Sequence, residues 1–210
     1  MALGSVKYLL GVEVVVDRLK NYVFFSQASY VDSIRRRFHM ETCHGVSTPE
    51  ASTANSDVEV GKSASDEVVP FREAVGAFQC LVSGSRPDIA HVVRRLGQYM
   101  SKFESSHYAQ AKRVMRYLQA TKEYGLCMKV AGSARSSQLL QLEVYSDADY
   151  ANDPEDRQSV SGYVTLINGC VISYGSRKQG LNAQSTMEAE YVAMNEGARM
   201  SCGYEASVTS

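Results

Sequence analysis

The chain has 210 residues, 44% hydrophobic and 21% charged, an ordinary globular composition that can bury one core or two small ones. No apolar run approaches membrane-span length and no charged-then-apolar leader opens the chain; the five cysteines (Cys43, Cys80, Cys127, Cys170, Cys202) are odd in number and lack a CxxC pair. We therefore expect no membrane partner and no disulfide framework, but an intracellular, non-secreted protein of a reducing compartment, cytoplasm or nucleus. The net charge of −1 is unevenly spread: residues 71–130 carry 10 basic and 4 acidic side chains, residues 131–210 carry 5 and 10. That pairing suits a phosphate-binding surface beside a metal-binding one, and equally two solvated faces of opposite sign.

In chain order, Lys7–Val16 reads as a β-rich run, followed by a turn at Asp17–Asn21 and a second run at Tyr22–Phe25, together a hairpin. Ser26 then reads as an N-cap for a helix from Gln27 to about His39. Tyr30, Val31, Ile34 and Phe38 form its apolar stripe, and Arg35, Arg36 and Arg37 spread around the rest. Ser47–Pro70 has no clear period and reads as a linker. Three helices are expected next, about Phe71–Ser83, Arg86–Phe103 with Pro87 in its first turn, and Ser106–Thr121. In the last, Ala111, Val114, Met115 and Leu118 line one side and Lys112, Arg113 and Arg116 the other. Small residues at 130–138 mark a flexible joint and a domain boundary.

Beyond it, the apolar run Leu139–Tyr145 reads as a strand with Asp147 at its end. Ser161–Ile167 and Cys170–Arg177 flank Asn168-Gly169, a strong hairpin signal. Ser185-Thr-Met-Glu-Ala-Glu-Tyr191 then opens a helix with Glu190 in its first turns. A strand-end Asp facing a helix-borne Glu offers hard oxygen ligands suited to Mg²⁺. Glu188 and Glu190 lie about 200° apart around a helix, so only one of them can face the strand.

Asp147 on a strand, a hairpin, then Ser-Thr-x-Glu-Ala-Glu-Tyr opening a helix resembles the RNase H domain of copia-type retrotransposon polyproteins. The resemblance continues through Tyr145–Pro154, Asp156–Tyr163 and Ser176–Gln179. Upstream, Leu-Gly-Val-Glu13, Ser47-Thr-Pro49, Arg86-Pro-Asp-Ile-Ala90 and Ala111–Leu118 are similar to the thumb and connection of the same polyproteins. The resemblance implies an α+β/α/β fold with this organisation: 1–46, the end of the reverse-transcriptase palm and a thumb-like hairpin plus helix; 47–70, a linker; 71–130, a helical connection; 138–198, a truncated RNase H-like mixed sheet with a helix; 199–210, a divergent tail.

It also implies cleavage of RNA in RNA–DNA hybrids by two ions, Mg²⁺ or Mn²⁺, held by three or four carboxylates. Asp147 matches the carboxylate that bridges both ions, and Glu190 matches the helix-borne one better than Glu188 does. The family's polymerase Asp-Asp dipeptide lies upstream of Leu-Gly-Val, and its third and fourth metal ligands lie beyond the Glu helix, where only Glu196 and Glu205 follow here. The expectation is a polyprotein remnant without turnover on its own. As an alternative, Arg94, Arg95, Lys112, Arg113, Arg116, Arg177 and Lys178 would hold an RNA–DNA hybrid or duplex by its phosphates without cutting it. Asp147-Ala-Asp149 also resembles the start of a Ca²⁺ loop, but Asn152 and Gln158 stand where that loop needs Gly and Glu.

Overall fold

The computed structural model describes residues 6–50, 70–129, 141–153 and 156–208. Within these, the run at Lys7–Val16 is two strands rather than one. Leu10 and Gly11 both adopt positive φ (51° and 83°), which reverses the chain between β1 (Tyr8–Leu9) and β2 (Val12–Asp17) and pairs Leu9 with Val12. The Asp17 carboxylate accepts the Leu19 and Lys20 N–H groups at 3.0 and 2.9 Å and shapes the turn into β3 (Tyr22–Ser26). In α1 (Ala28–Arg37) the cap position is Gln27 rather than Ser26, although the Ser26 hydroxyl still accepts the Ala28 N–H. Arg35, expected on the solvent side, is buried: it bridges Asp32 at 3.0 Å and donates to the Glu41 carbonyl.

The remaining helices are α2 (Phe71–Gly84), α3 (Ala90–Gln98) and α4 (Ser105–Ala120). The predicted helix at 86–103 is shorter than its pattern. It enters through a 3₁₀ turn at Pro87–Ile89 and stops at Gln98. α4 starts on a reciprocal cap, in which the Glu104 side chain accepts the His107 N–H and His107 Nδ1 accepts the Glu104 N–H. The 71–130 segment is not helical to its end, since β4 (Gly125–Lys129) follows α4 and completes a sheet of order β1-β2-β3-β4. A core of Val31, Ile34, Phe71, Phe78, Leu81, Ile89, Val92, Val93, Leu96, Val114, Met115 and Leu118 joins α1 to α4. Phe71 and Phe103 stack within it at 4.6 Å. These helices belong to one compact unit, Met1–Val15 with Phe24–Gly125; Val16–Val23 and Leu126–Ser210 form the second.

Among the described residues, the largest fully buried side chain is Arg86, 1% exposed, just before the 3₁₀ turn. A guanidinium cannot shed its charge, so burial demands that its donors be met. Nε and Nη2 reach the two Asp88 oxygens at 2.9 and 2.7 Å, and Nη1 and Nη2 reach the Thr121 carbonyl and hydroxyl at 3.0 and 2.6 Å. The rings of Tyr117 and Tyr124 lie 5.7 Å from the guanidinium carbon. Tyr117 donates its phenol to Asp88 at 2.9 Å, and burial, reinforced by that hydrogen bond, pushes its pKa up to about 12.

In the second unit, β5 (Leu142–Asp149), β6 (Val160–Ile167) and β7 (Cys170–Lys178) form a three-stranded sheet, followed by α5 (Thr186–Val208). All described pairings are antiparallel, so the mixed sheet expected from sequence is replaced here by a plain meander. Asn168 and Gly169 have φ of 51° and 74°, the two-residue hairpin their sequence announces. α5 runs on to Val208, through residues read from sequence as a divergent tail. Ala189 and Ala193 are fully buried, and a Cβ on Gly197 would lie 3.1 Å from the Val144 side chain. Four-residue spacing puts these three small residues on one stripe, along which the helix packs closely on β5 and β6.

Two outcomes follow from the Arg86 cluster. Asp88→Ala strands a buried guanidinium and is expected to cost roughly 3–5 kcal/mol, read as a lower urea midpoint. Stability should also fall as pH rises from about 10, where the unfolded phenol ionises, through about 12, where the folded Tyr117 does. In that window the folded state holds the proton that the unfolded state has lost. Tyr117→Phe should flatten this part of a pH–stability curve.

Candidate nucleic-acid and metal site

Asp147 lies within β5, two residues before its end. Its carboxylate is exposed, and the register sets it opposite Gly162, which in turn pairs with Ser176. Neighbouring Val144 and Ser146 are the β5 residues that meet α5 at Gly197. Strand alternation therefore turns Asp147 to the other face of the sheet.

Gln179, directly after β7, fixes where α5 begins. It is 1% exposed; its backbone N–H reaches the Ser159 carbonyl at 2.9 Å, and its side-chain amide donates to the Ser161 hydroxyl at 3.0 Å and the Ala189 carbonyl at 2.9 Å. Ser161 is the β6 partner of Ala148, next to Asp147. The first turns of α5, with exposed Glu190 one residue past Ala189, thus start at the same end of the sheet as Asp147.

Glu188 has another task. Its carboxylate accepts the Gln184 N–H at 2.7 Å while the Ser185 hydroxyl accepts the Glu188 N–H at 3.2 Å, a cap on α5. The Ser185-x-x-Glu188 spacing carries that signal in the sequence. Asp153 is buried and pairs with Lys178 at 2.6 Å; Asp156 holds the same ammonium at 2.7 Å, and Asn152 donates to Asp149. Hydrogen bonds that the ammonium donates to Asp153 first, then to Asp156, raise the Lys178 pKa. Lys178 is thus engaged within the loop that follows β5 rather than presented to a ligand. Among the described residues, no three His, Cys, Asp or Glu side chains gather closely enough to hold a metal ion.

In the helical unit, three of the five predicted phosphate contacts, Arg95, Arg113 and Arg116, support the chain itself. His44–Glu50 runs as a strap antiparallel to α4. Arg116 donates to the His44 carbonyl at 3.0 Å, the Val46 N–H returns to the Arg116 carbonyl at 3.3 Å, Arg113 donates to the Thr48 hydroxyl at 2.9 Å, and Gln110 to the Pro49 carbonyl at 2.8 Å. Gly45 lies so close to α4 that a Cβ there would stand 2.8 Å from the Ala120 Cβ. Arg95 closes the strap on Glu50, with His91 3.7 Å from the same carboxylate. Arg94 is half-buried on α3, Lys112 is exposed with its ammonium 4.8 Å from the Tyr108 ring centroid, and Arg177 is exposed on β7 opposite Ser161.

The chain is 33% identical over 92% of its length to the retrovirus-related Pol polyprotein from transposon TNT 1-94 of Nicotiana tabacum, of which it spans 14%. It is 44% identical over 61% of its length to secreted RxLR effector protein 161 of Plasmopara viticola, covering 86% of that protein. It is 30% identical over 91% of its length to an uncharacterized mitochondrial protein of Arabidopsis thaliana, covering 75% of it. The chain belongs to the copia-type retrotransposon Pol polyprotein family. No protein-family model and no solved structure matches it. No helix among the described residues is long and apolar enough to cross a membrane.

Replacing Gln179 with Leu leaves the Ser161 hydroxyl without its donor and should cost about 1–3 kcal/mol. Faster amide exchange confined to the first turns of α5 would identify the clamp as the cause; uniform loosening of both units would not.

Proposed function

We propose that this chain is the stretch of a copia-type polyprotein that joins the thumb and connection of the reverse transcriptase to its RNase H domain. Its ancestral role is cleavage of the RNA strand of RNA–DNA hybrids with Mg²⁺ or Mn²⁺. The observation that carries this reading is the Gln179 clamp, which starts α5, and with it Glu190, at the sheet end that bears Asp147.

The donor set does not by itself fit a two-ion centre. Asp147 and Glu190 are hard, exposed oxygen donors, but Asp153 and Asp156 are neutralised by Lys178 and Glu188 caps a helix. Mg²⁺ sheds water reluctantly and needs more ligands than two carboxylates supply. The chain's own part is to place two carboxylates for a centre that other polyprotein residues complete, so the chain alone is not expected to turn over. The hybrid is the proposed partner, with Lys112 and Arg177 as the basic side chains best presented to its phosphates.

Incubation with a labelled RNA–DNA hybrid and Mg²⁺ or Mn²⁺ tests this reading. The 210-residue chain should leave the RNA intact, whereas a longer polyprotein segment containing it should cleave. That cleavage should drop to background in Asp147→Asn and in Glu190→Gln. Undiminished cleavage by either variant removes that residue from the site. Hybrid binding that weakens steeply with salt and is indifferent to Asp147→Asn, with no cleavage by the longer segment, would leave a binding module instead.

A further inference from the structure

From the strap on α4 we infer a phosphorylation site at Thr48, in which phosphothreonine is received by Arg113. Thr48 is exposed and followed directly by Pro49, the residue pair that proline-directed protein kinases recognise. Its hydroxyl already accepts a hydrogen bond from Arg113 Nη2 at 2.9 Å and donates to the Glu50 carbonyl at 3.0 Å. Arg113 has a second donor in waiting, since its Nε–H is buried without an acceptor among the described residues. Such a donor is costly to leave unmet.

A phosphate on Thr48 brings a charge of about −1.5 to −2 and three acceptor oxygens to a guanidinium that, among the described residues, meets only a neutral hydroxyl. The nearest carboxylate in sequence, Glu50, is already occupied by Arg95 and His91, so the new charge does not face an unpaired anion there. In the transfer, the P–Oγ bond to Thr48 forms as the bond from the γ-phosphorus to ADP breaks, and the hydroxyl proton leaves to the kinase's base. Modification thus pins the strap to α4 through Arg113. Ser47 lacks the following proline, so the chemistry singles out Thr48.

The test uses the full chain, treated with a proline-directed kinase and ATP and mapped by mass spectrometry, alongside a chain with phosphothreonine installed at position 48 by direct incorporation. Labelling is expected at Thr48 and absent in Thr48→Ala; labelling that spares Thr48 overturns the assignment of the site. In the installed phosphoprotein, ³¹P titration should show a phosphate pKa lowered below the ordinary value of about 6, and returned to it in Arg113→Ala. A Tm increase of about 2–4 °C, lost in Arg113→Ala, should accompany it. A phosphate that titrates identically with and without Arg113 overturns the pairing.

Discussion

A guanidinium that cannot lose its charge sits inside the helical unit, and much of that unit is arranged around it. Arg86 ties the 3₁₀ turn to the C-terminal end of α4 through Thr121, and to Tyr117 through the carboxylate of Asp88. Both tyrosine rings that flank it come from α4 and the segment that follows. The arrangement explains why α3 does not begin at Arg86. The residue turns inward to the end of another helix, and Pro87 opens a tight 3₁₀ turn before regular helix resumes at Ala90. A buried ion pair of this kind is weak as a source of net stability, but it is intolerant of losing one partner, and so it fixes one arrangement of the turn against α4.

The second unit rests on close backbone approach. Ala189, Ala193 and Gly197 let α5 lie against β5 and β6, and Gln179 fixes its starting point by joining β6 to the helix. The opposite side of the helix carries exposed Met187, Tyr191 and Met194. The helix is therefore apolar on two sides, and hydrophobic pattern alone does not say which side meets the sheet. Size decides: only the small residues permit the short separation at Val144.

Charge is used differently in the two units from what its distribution along the chain suggests. The basic block at 71–130 reads as a phosphate surface, yet Arg95, Arg113 and Arg116 hold the His44–Glu50 strap by its carbonyls, its hydroxyl and its carboxylate. In the acidic block Lys178 draws Asp153 and Asp156 together, so part of that block's charge is met within the chain. A run of like charges reports composition, while availability depends on which partners the fold supplies.

The sequence by itself determined the elements with strong local signals. These are the hairpin at Asn168-Gly169, where both residues tolerate positive φ, the apolar stripe of α4, the helix opening after Ser185, and the family membership carried by its motifs. It also contained, unread, the Ser185-x-x-Glu188 cap. Only the tertiary structure decided that Leu10-Gly11 splits a strand, that β4 follows the helices, that Arg35 and Arg86 are buried, and that Asp147 lies on the sheet face away from α5. The physical reason is range. Turn preference and helical period act over a few residues, whereas the partners of a charge and the face of a strand are set by neighbours distant in sequence: Arg86 with Thr121, Arg113 with Thr48, Val144 with Gly197.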